Sequence, residues 1–62
     1  MTLRVLIVDD EPPARARLRQ LLDEMPEVVC VGEAASGEEA LAAAEDAVPD
    51  VVLLDIRMPG LG

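Results

Sequence analysis

Apolar residues fall in three short blocks: Leu3-Arg4-Val5-Leu6-Ile7-Val8, Val28-Val29-Cys30-Val31 and Val51-Val52-Leu53-Leu54. Each is β-branched and nearly free of polar alternation, the pattern of a strand covered on both faces in a parallel sheet. The first stops at Asp9-Asp10-Glu11, the second can run on to Ala34, and the third ends at Asp55. The stretches between them repeat at helical rather than strand spacing. From Ala14 to Met25 the apolar positions Ala14, Leu18, Leu21, Leu22 and Met25 form one stripe, with Arg15, Arg19 and Asp23 turned toward water. Pro12 and Pro13 suit the first helical turn, where a missing N–H costs nothing, and Pro26 closes the helix.

The second helix opens at Ser36-Gly37-Glu38-Glu39, a capping box with Ser36 as N-cap and Glu39 reaching back. Ala40, Leu41, Ala44, Ala47 and Val48 are expected inward, and Glu38, Glu39, Glu45 and Asp46 outward. The inward alanines let this helix lie close to a sheet. Pro49-Asp50 turns the chain into the third strand, and Ile56-Arg57-Met58-Pro59-Gly60 reads as a loop. The order is β-α-β-α-β. Right-handed crossovers would make the strands parallel, with both helices packed onto the sheet.

Composition narrows what such a domain can do. The 62 residues hold thirteen Asp and Glu against five cations, all arginine, for a net charge of -8. That surface repels nucleic acid phosphates and anionic headgroups, so neither nucleic acid nor membrane is expected as a partner of this chain alone. No histidine and no aromatic residue is present, which removes imidazole chemistry and base stacking. The single Cys30 cannot form an internal disulfide, which suits a reducing cytoplasm; it is expected to pack rather than react. No segment has the pattern of a signal peptide or a membrane span.

The acids carry the candidate chemistry. In parallel α/β sheets functional groups gather at the carboxyl ends of the strands. Asp9 and Asp10 follow the first strand and Asp55 ends the third; if these strands are neighbours, three carboxylates converge. Like charges in one pocket repel, and a hard divalent cation such as Mg²⁺ relieves the repulsion through carboxylate oxygens. Two readings are open on pattern alone: a Mg²⁺ site beside a carboxylate nucleophile, or acids that merely cap strand ends. An aspartyl phosphohydrolase is disfavoured, because such enzymes begin with Asp-x-Asp on the first strand and the acids here are adjacent.

Val5-Leu6-Ile7-Val8-Asp9-Asp10-Glu11-Pro12 and Val51-Val52-Leu53-Leu54-Asp55-Ile56-Arg57-Met58-Pro59-Gly60 resemble the two N-terminal signatures of the response regulator receiver domain of bacterial two-component systems. Ser36-Gly37-Glu38-Glu39-Ala40-Leu41 is similar to the family's entrance to its second helix, and the likeness runs across the whole chain. The opening of the first helix, EPPARARLRQLL, further resembles regulators with a LytTR-type DNA-binding output. The resemblance implies that Asp55 is the phosphoacceptor for a histidine kinase. It implies Mg²⁺ held by Asp9, Asp10, Asp55 and the backbone carbonyl of Arg57, and transcription as the process regulated in the full-length protein. Glu11 would flank the site, and the first helix, with Arg15, Arg17 and Arg19, could contact the kinase. The domain would be a phosphoacceptor that takes part in its own phosphorylation, not an enzyme.

The family fold is a flavodoxin-like doubly wound parallel sheet ordered 2-1-3-4-5. Residues 1–62 match its N-terminal half, with strand order 2-1-3 and no output domain. The Ser or Thr and the Lys that the family places after strands four and five have no counterpart, and no lysine is available. Strand three, central in the whole fold, is an apolar edge here with no charge or proline to deter pairing. A homodimer is therefore expected, formed through strand three or by exchange of segments. The alternative function is a self-associating half-receiver without phosphotransfer competence.

Overall fold

The computed structural model describes residues 1–55, the side chain of Asp55 excepted; the expected loop at 56–60, with Arg57, lies outside the described residues. Five elements follow in the order read from the pattern: β1 (Leu3–Asp9), α1 (Pro12–Asp23), β2 (Val28–Ala34), α2 (Gly37–Ala47) and β3 (Val51–Asp55). The strands form one parallel sheet in the order β2-β1-β3. This is the N-terminal half of a flavodoxin-like doubly wound sheet, as the sequence implied.

Central β1 explains the unbroken apolar run. Val5 to Asp9 are all buried, and Leu6, Ile7 and Val8 are fully enclosed. Alternate residues serve opposite faces. Val5 and Ile7 pack with Leu22 and Leu18 of α1 and with Val28, Cys30 and Leu53. Leu6 and Val8 pack with Ala34 and with Ala40, Ala43 and Ala44 of α2. The crossover from β1 to β2 and the one from β2 to β3 run in opposite directions across the sheet, so the helices cover opposite faces.

β2 departs from simple register. Val5 pairs with Cys30 but Leu6 pairs with Gly32, which leaves Val31 as an extra residue. Gly32 sits where the strands crowd: a Cβ there would lie 3.2 Å from Leu6 Cδ1. Cys30 is half-buried, with Sγ 3.4 Å from the Gly32 carbonyl oxygen.

The helices refine the expected stripes. α1 carries Pro12 and Pro13 at its first two positions, as expected, but ends at Asp23. The Glu24 and Met25 N–H groups donate three residues back, to Leu21 and Leu22, which tightens the last turn ahead of Pro26. Leu18 and Leu22 face the sheet, whereas Leu21 and Met25, expected inward, are exposed. The short helix meets the sheet along a narrow line, and only the positions nearest it are covered.

In α2 the Ser36 hydroxyl accepts the Glu39 N–H at 3.2 Å, as expected of the N-cap. The Glu39 carboxylate accepts from Ala35, 3.4 Å away, one residue before the cap. Ala40, Ala43 and Ala44 face the core; Leu41 and Val48, expected inward, are each 70% exposed. Successive helical residues turn by about 100°, so a face centred on these alanines leaves Leu41 at its margin. Val48 caps the helix in the left-handed region at φ 47°, with its N–H on the Ala44 carbonyl at 2.9 Å.

Candidate functional site

The acidic end of the sheet follows from strand register. β1 and β3 pair in parallel from Val5↔Val51 to Asp9↔Asp55, so the two aspartates are register partners at the carboxyl ends of adjacent strands. Residues distant in sequence thus share one end of the fold, as the pattern predicted if these strands were neighbours. Asp10, the next residue after β1, is exposed at the same end.

Asp9 is the only buried polar or charged residue among the described ones, at 3% exposure. It lies on the α1 face, in line with Val5 and Ile7. Its Oδ1 accepts the Glu11 N–H at 2.9 Å, an Asx-type turn that redirects the chain from β1 into α1. Among the described residues, the ion pairs are those of Glu33 with Arg15 and Arg19; neither Asp9 nor Asp10 has a cationic partner. A carboxylate taken out of water without a counter-charge is costly, and a bound cation offsets that cost. Carboxylate oxygens at a strand end are also the hard donors Mg²⁺ takes. Asp9 fits the metal on both counts and the exposed Asp10 on the second; Asp55's carboxylate and the Arg57 carbonyl lie outside the described residues.

Arg15 is a component the sequence reading missed. Expected in water, it is instead half-buried, with Nη1 donating to the Asp9 carbonyl at 2.7 Å and Nε 3.7 Å from Glu33 Oε1. Glu33 is held from its other side by Arg19 Nη1, at 3.0 Å from Oε2. The signal was directional: helical side chains lean toward the N-terminus, so a long one in the first turn of α1 reaches back to the end of β1.

The family model for the response regulator receiver domain matches residues 5–62. The chain belongs to this family. Among relatives of this receiver, the nitrate/nitrite response regulator protein NarL of Escherichia coli is 42% identical over 57 residues, covering 92% of this chain and 26% of that protein. The positive alginate biosynthesis regulatory protein of Pseudomonas aeruginosa is 53% identical over 60 residues, covering 95% and 24%. Among solved structures, the response regulator domain of Thermotoga maritima CheB superposes with a TM-score of 0.88 at 40% identity, covering 100% of this chain and 46% of that one. The chain thus spans about a quarter of the curated relatives' length and just under half of that solved receiver domain. No helix among the described residues is long and apolar enough to cross a membrane.

Proposed function

We propose that this receiver accepts a phosphoryl group on Asp55 from a histidine kinase in a Mg²⁺-dependent reaction, in the cytoplasm, as part of a transcription regulator. The observation that carries the reading is the register pair Asp9↔Asp55 with Asp10 beside it, in a chain whose family is established.

Asp9, Asp10 and Asp55, with the Arg57 carbonyl, would hold the metal. Bound there, Mg²⁺ supplies positive charge that offsets the acids and the phosphoryl oxygens. The residues' own tasks are distinct. A carboxylate oxygen of Asp55 attacks phosphorus, forming an acyl phosphate, while the bond from phosphorus to its donor breaks and the electron pair leaves with the donor. Asp9 presents a fixed carboxylate, restrained by burial and by the Glu11 N–H. Asp10, exposed at the strand end, would offer its carboxylate to the metal from the solvent side. The domain is altered by the transfer and turns over no substrate of its own.

One observation favours a second reading, a self-associating half-receiver that does not accept phosphate. Among the described residues β3 pairs with β1 alone, α2 packs on β1 and β2 without reaching it, and Val51, Val52 and Leu54 are exposed. Such an edge can pair with a second copy of the chain or exchange segments with it.

Incubation with Mg²⁺ and a small phosphodonor, followed by intact mass measurement, separates the two. A phosphoryl adduct present in the wild type and absent from Asp55→Asn supports phosphotransfer. A folded chain that gains no adduct supports the second reading.

A further inference from the structure

We propose that Arg15 is a positioning residue for the acid pair, setting the direction from which Asp10 meets the metal; the inference rests on the Mg²⁺ reading given above. Its guanidinium holds the Asp9 carbonyl at 2.7 Å. That carbonyl and the Asp10 N–H belong to one planar peptide unit. Fixing the oxygen therefore fixes the plane from which the Asp10 Cα and side chain depart. The same peptide follows directly on the buried Asp9 carboxylate, so one cation steadies the backbone between the two described metal-binding candidates.

Arg15 is itself held. It is 21% exposed at its side chain, and its Nε faces Glu33 Oε1 at 3.7 Å. Glu33 belongs to β2 and is engaged on its second oxygen by Arg19, one helical turn beyond Arg15. The guanidinium hydrogen-bonds the carbonyl through Nη1 while its Nε stands in ion-pair range of the carboxylate, a two-sided geometry that a lysine ammonium does not reproduce. Arg15 spends its hydrogen bond on the backbone of Asp9 rather than on either carboxylate, so the acids stay available to a cation while the strand end is restrained. The restraint also links α1 to the metal-binding end of β1: a shift of this helix would move the Asp9–Asp10 peptide with it.

The test compares Arg15→Gln, Arg15→Lys and Arg19→Gln with the wild type. Arg19→Gln removes an ion pair between α1 and β2 but touches nothing at Asp9, so it reports what loss of the helix–strand link does by itself. Two readouts are taken on the full chain: Mn²⁺ affinity by electron paramagnetic resonance with Mg²⁺ competition, and exchange of the Glu11 amide in metal-free protein by NMR. In Arg15→Gln the Mn²⁺ affinity is expected to fall about tenfold, the lower end of what losing an outer-shell partner does. The Glu11 amide, bonded to the Asp9 carboxylate, is expected to exchange faster. Arg15→Lys should recover part of both losses, and Arg19→Gln should stay within about twofold of wild type for Mn²⁺.

Equal Mn²⁺ affinity in wild type and Arg15→Gln would overturn the positioning role while leaving the metal site standing. An equal loss in Arg15→Gln and Arg19→Gln would also overturn it, since general loosening of α1 would then suffice. A wild-type chain that binds no Mn²⁺ would overturn the metal reading itself, and the role of Arg15 toward it.

Discussion

Arg4 and Asp50 are bonded to each other twice. The Arg4 N–H donates to Asp50 Oδ2 at 2.9 Å, and the Asp50 N–H donates to the Arg4 carbonyl at 2.8 Å. The Arg4 guanidinium also donates to the Ala47 carbonyl at the end of α2. One residue of β1 thus joins the exit of α2 to the entrance of β3, one step before the ladder begins at Val5↔Val51. An arginine at a helix C-terminus satisfies a carbonyl the helix leaves open and complements its dipole. Asp50→Ala removes the carboxylate acceptor and is expected to cost about 1 kcal/mol, as for a typical net hydrogen bond. Asp50→Asn, which keeps an acceptor oxygen, should cost less. Urea unfolding followed by far-UV circular dichroism checks both; the chain has no aromatic fluorophore.

Val48 ends α2 with φ at 47°, a conformation a β-branched side chain rarely adopts. Val48 is 70% exposed, so little packing is lost on truncation. Val48→Gly should relieve strain of order 1 kcal/mol, partly offset by the added freedom of the unfolded chain. The expected result is a higher thermal midpoint than wild type. A lower midpoint would show that the exposed valine contributes more than its backbone costs.

Leu6 and Leu41 are the same residue type with opposite fates. Leu6 is fully enclosed between β2 and α2, whereas Leu41 is 70% exposed. Leu6→Ala should cost about 2–5 kcal/mol, enough to unfold a chain this small. Leu41→Ala should stay within about ±0.5 kcal/mol, because an exposed surface substitution removes little packing. Denaturation curves of the two variants read the contrast directly.

That contrast shows where the pattern of apolar residues is informative. β1 was legible because a central parallel strand must be apolar on both faces, so no choice of face was needed. The parallel order β2-β1-β3 followed from short crossovers, and with it the placing of Asp9 beside Asp55. The Ser36 cap was legible because its side chain and its target lie within one turn. Helix faces were harder. Leu21, Met25, Leu41 and Val48 extend the stripes of α1 and α2, but burial depends on how wide a strip each short helix lays on the sheet, a tertiary quantity. Charge alone assigns Arg15 to the solvated face of α1. Its length and N-terminal lean carry it off that face and onto the Asp9 carbonyl.

Strand β3, paired with β1 alone among the described residues, supplies the last test. Leu53 is half-buried against the α1-face cluster, while Val52 and Leu54 point to the face that α2 leaves open at β3. If two copies associate through β3, charge on this strand should prevent it, since lysine on an edge deters pairing. Val52→Lys is the suitable variant: Val52 is 48% exposed, so a long side chain can reach water without displacing the enclosed Leu6 opposite it in the ladder. The wild type is expected to sediment as a dimer at micromolar concentration and Val52→Lys as a monomer, with unchanged helical content. A wild type that sediments as a folded monomer would remove β3 as an association surface. A Val52→Lys dimer would move the contact elsewhere, to exchange of segments or to the exposed Leu21 and Met25 of α1. Coupling this measurement to the mass-shift assay decides whether the acidic strand ends function in one copy: a monomeric Val52→Lys chain that still gains a phosphoryl adduct would locate the chemistry within a single fold.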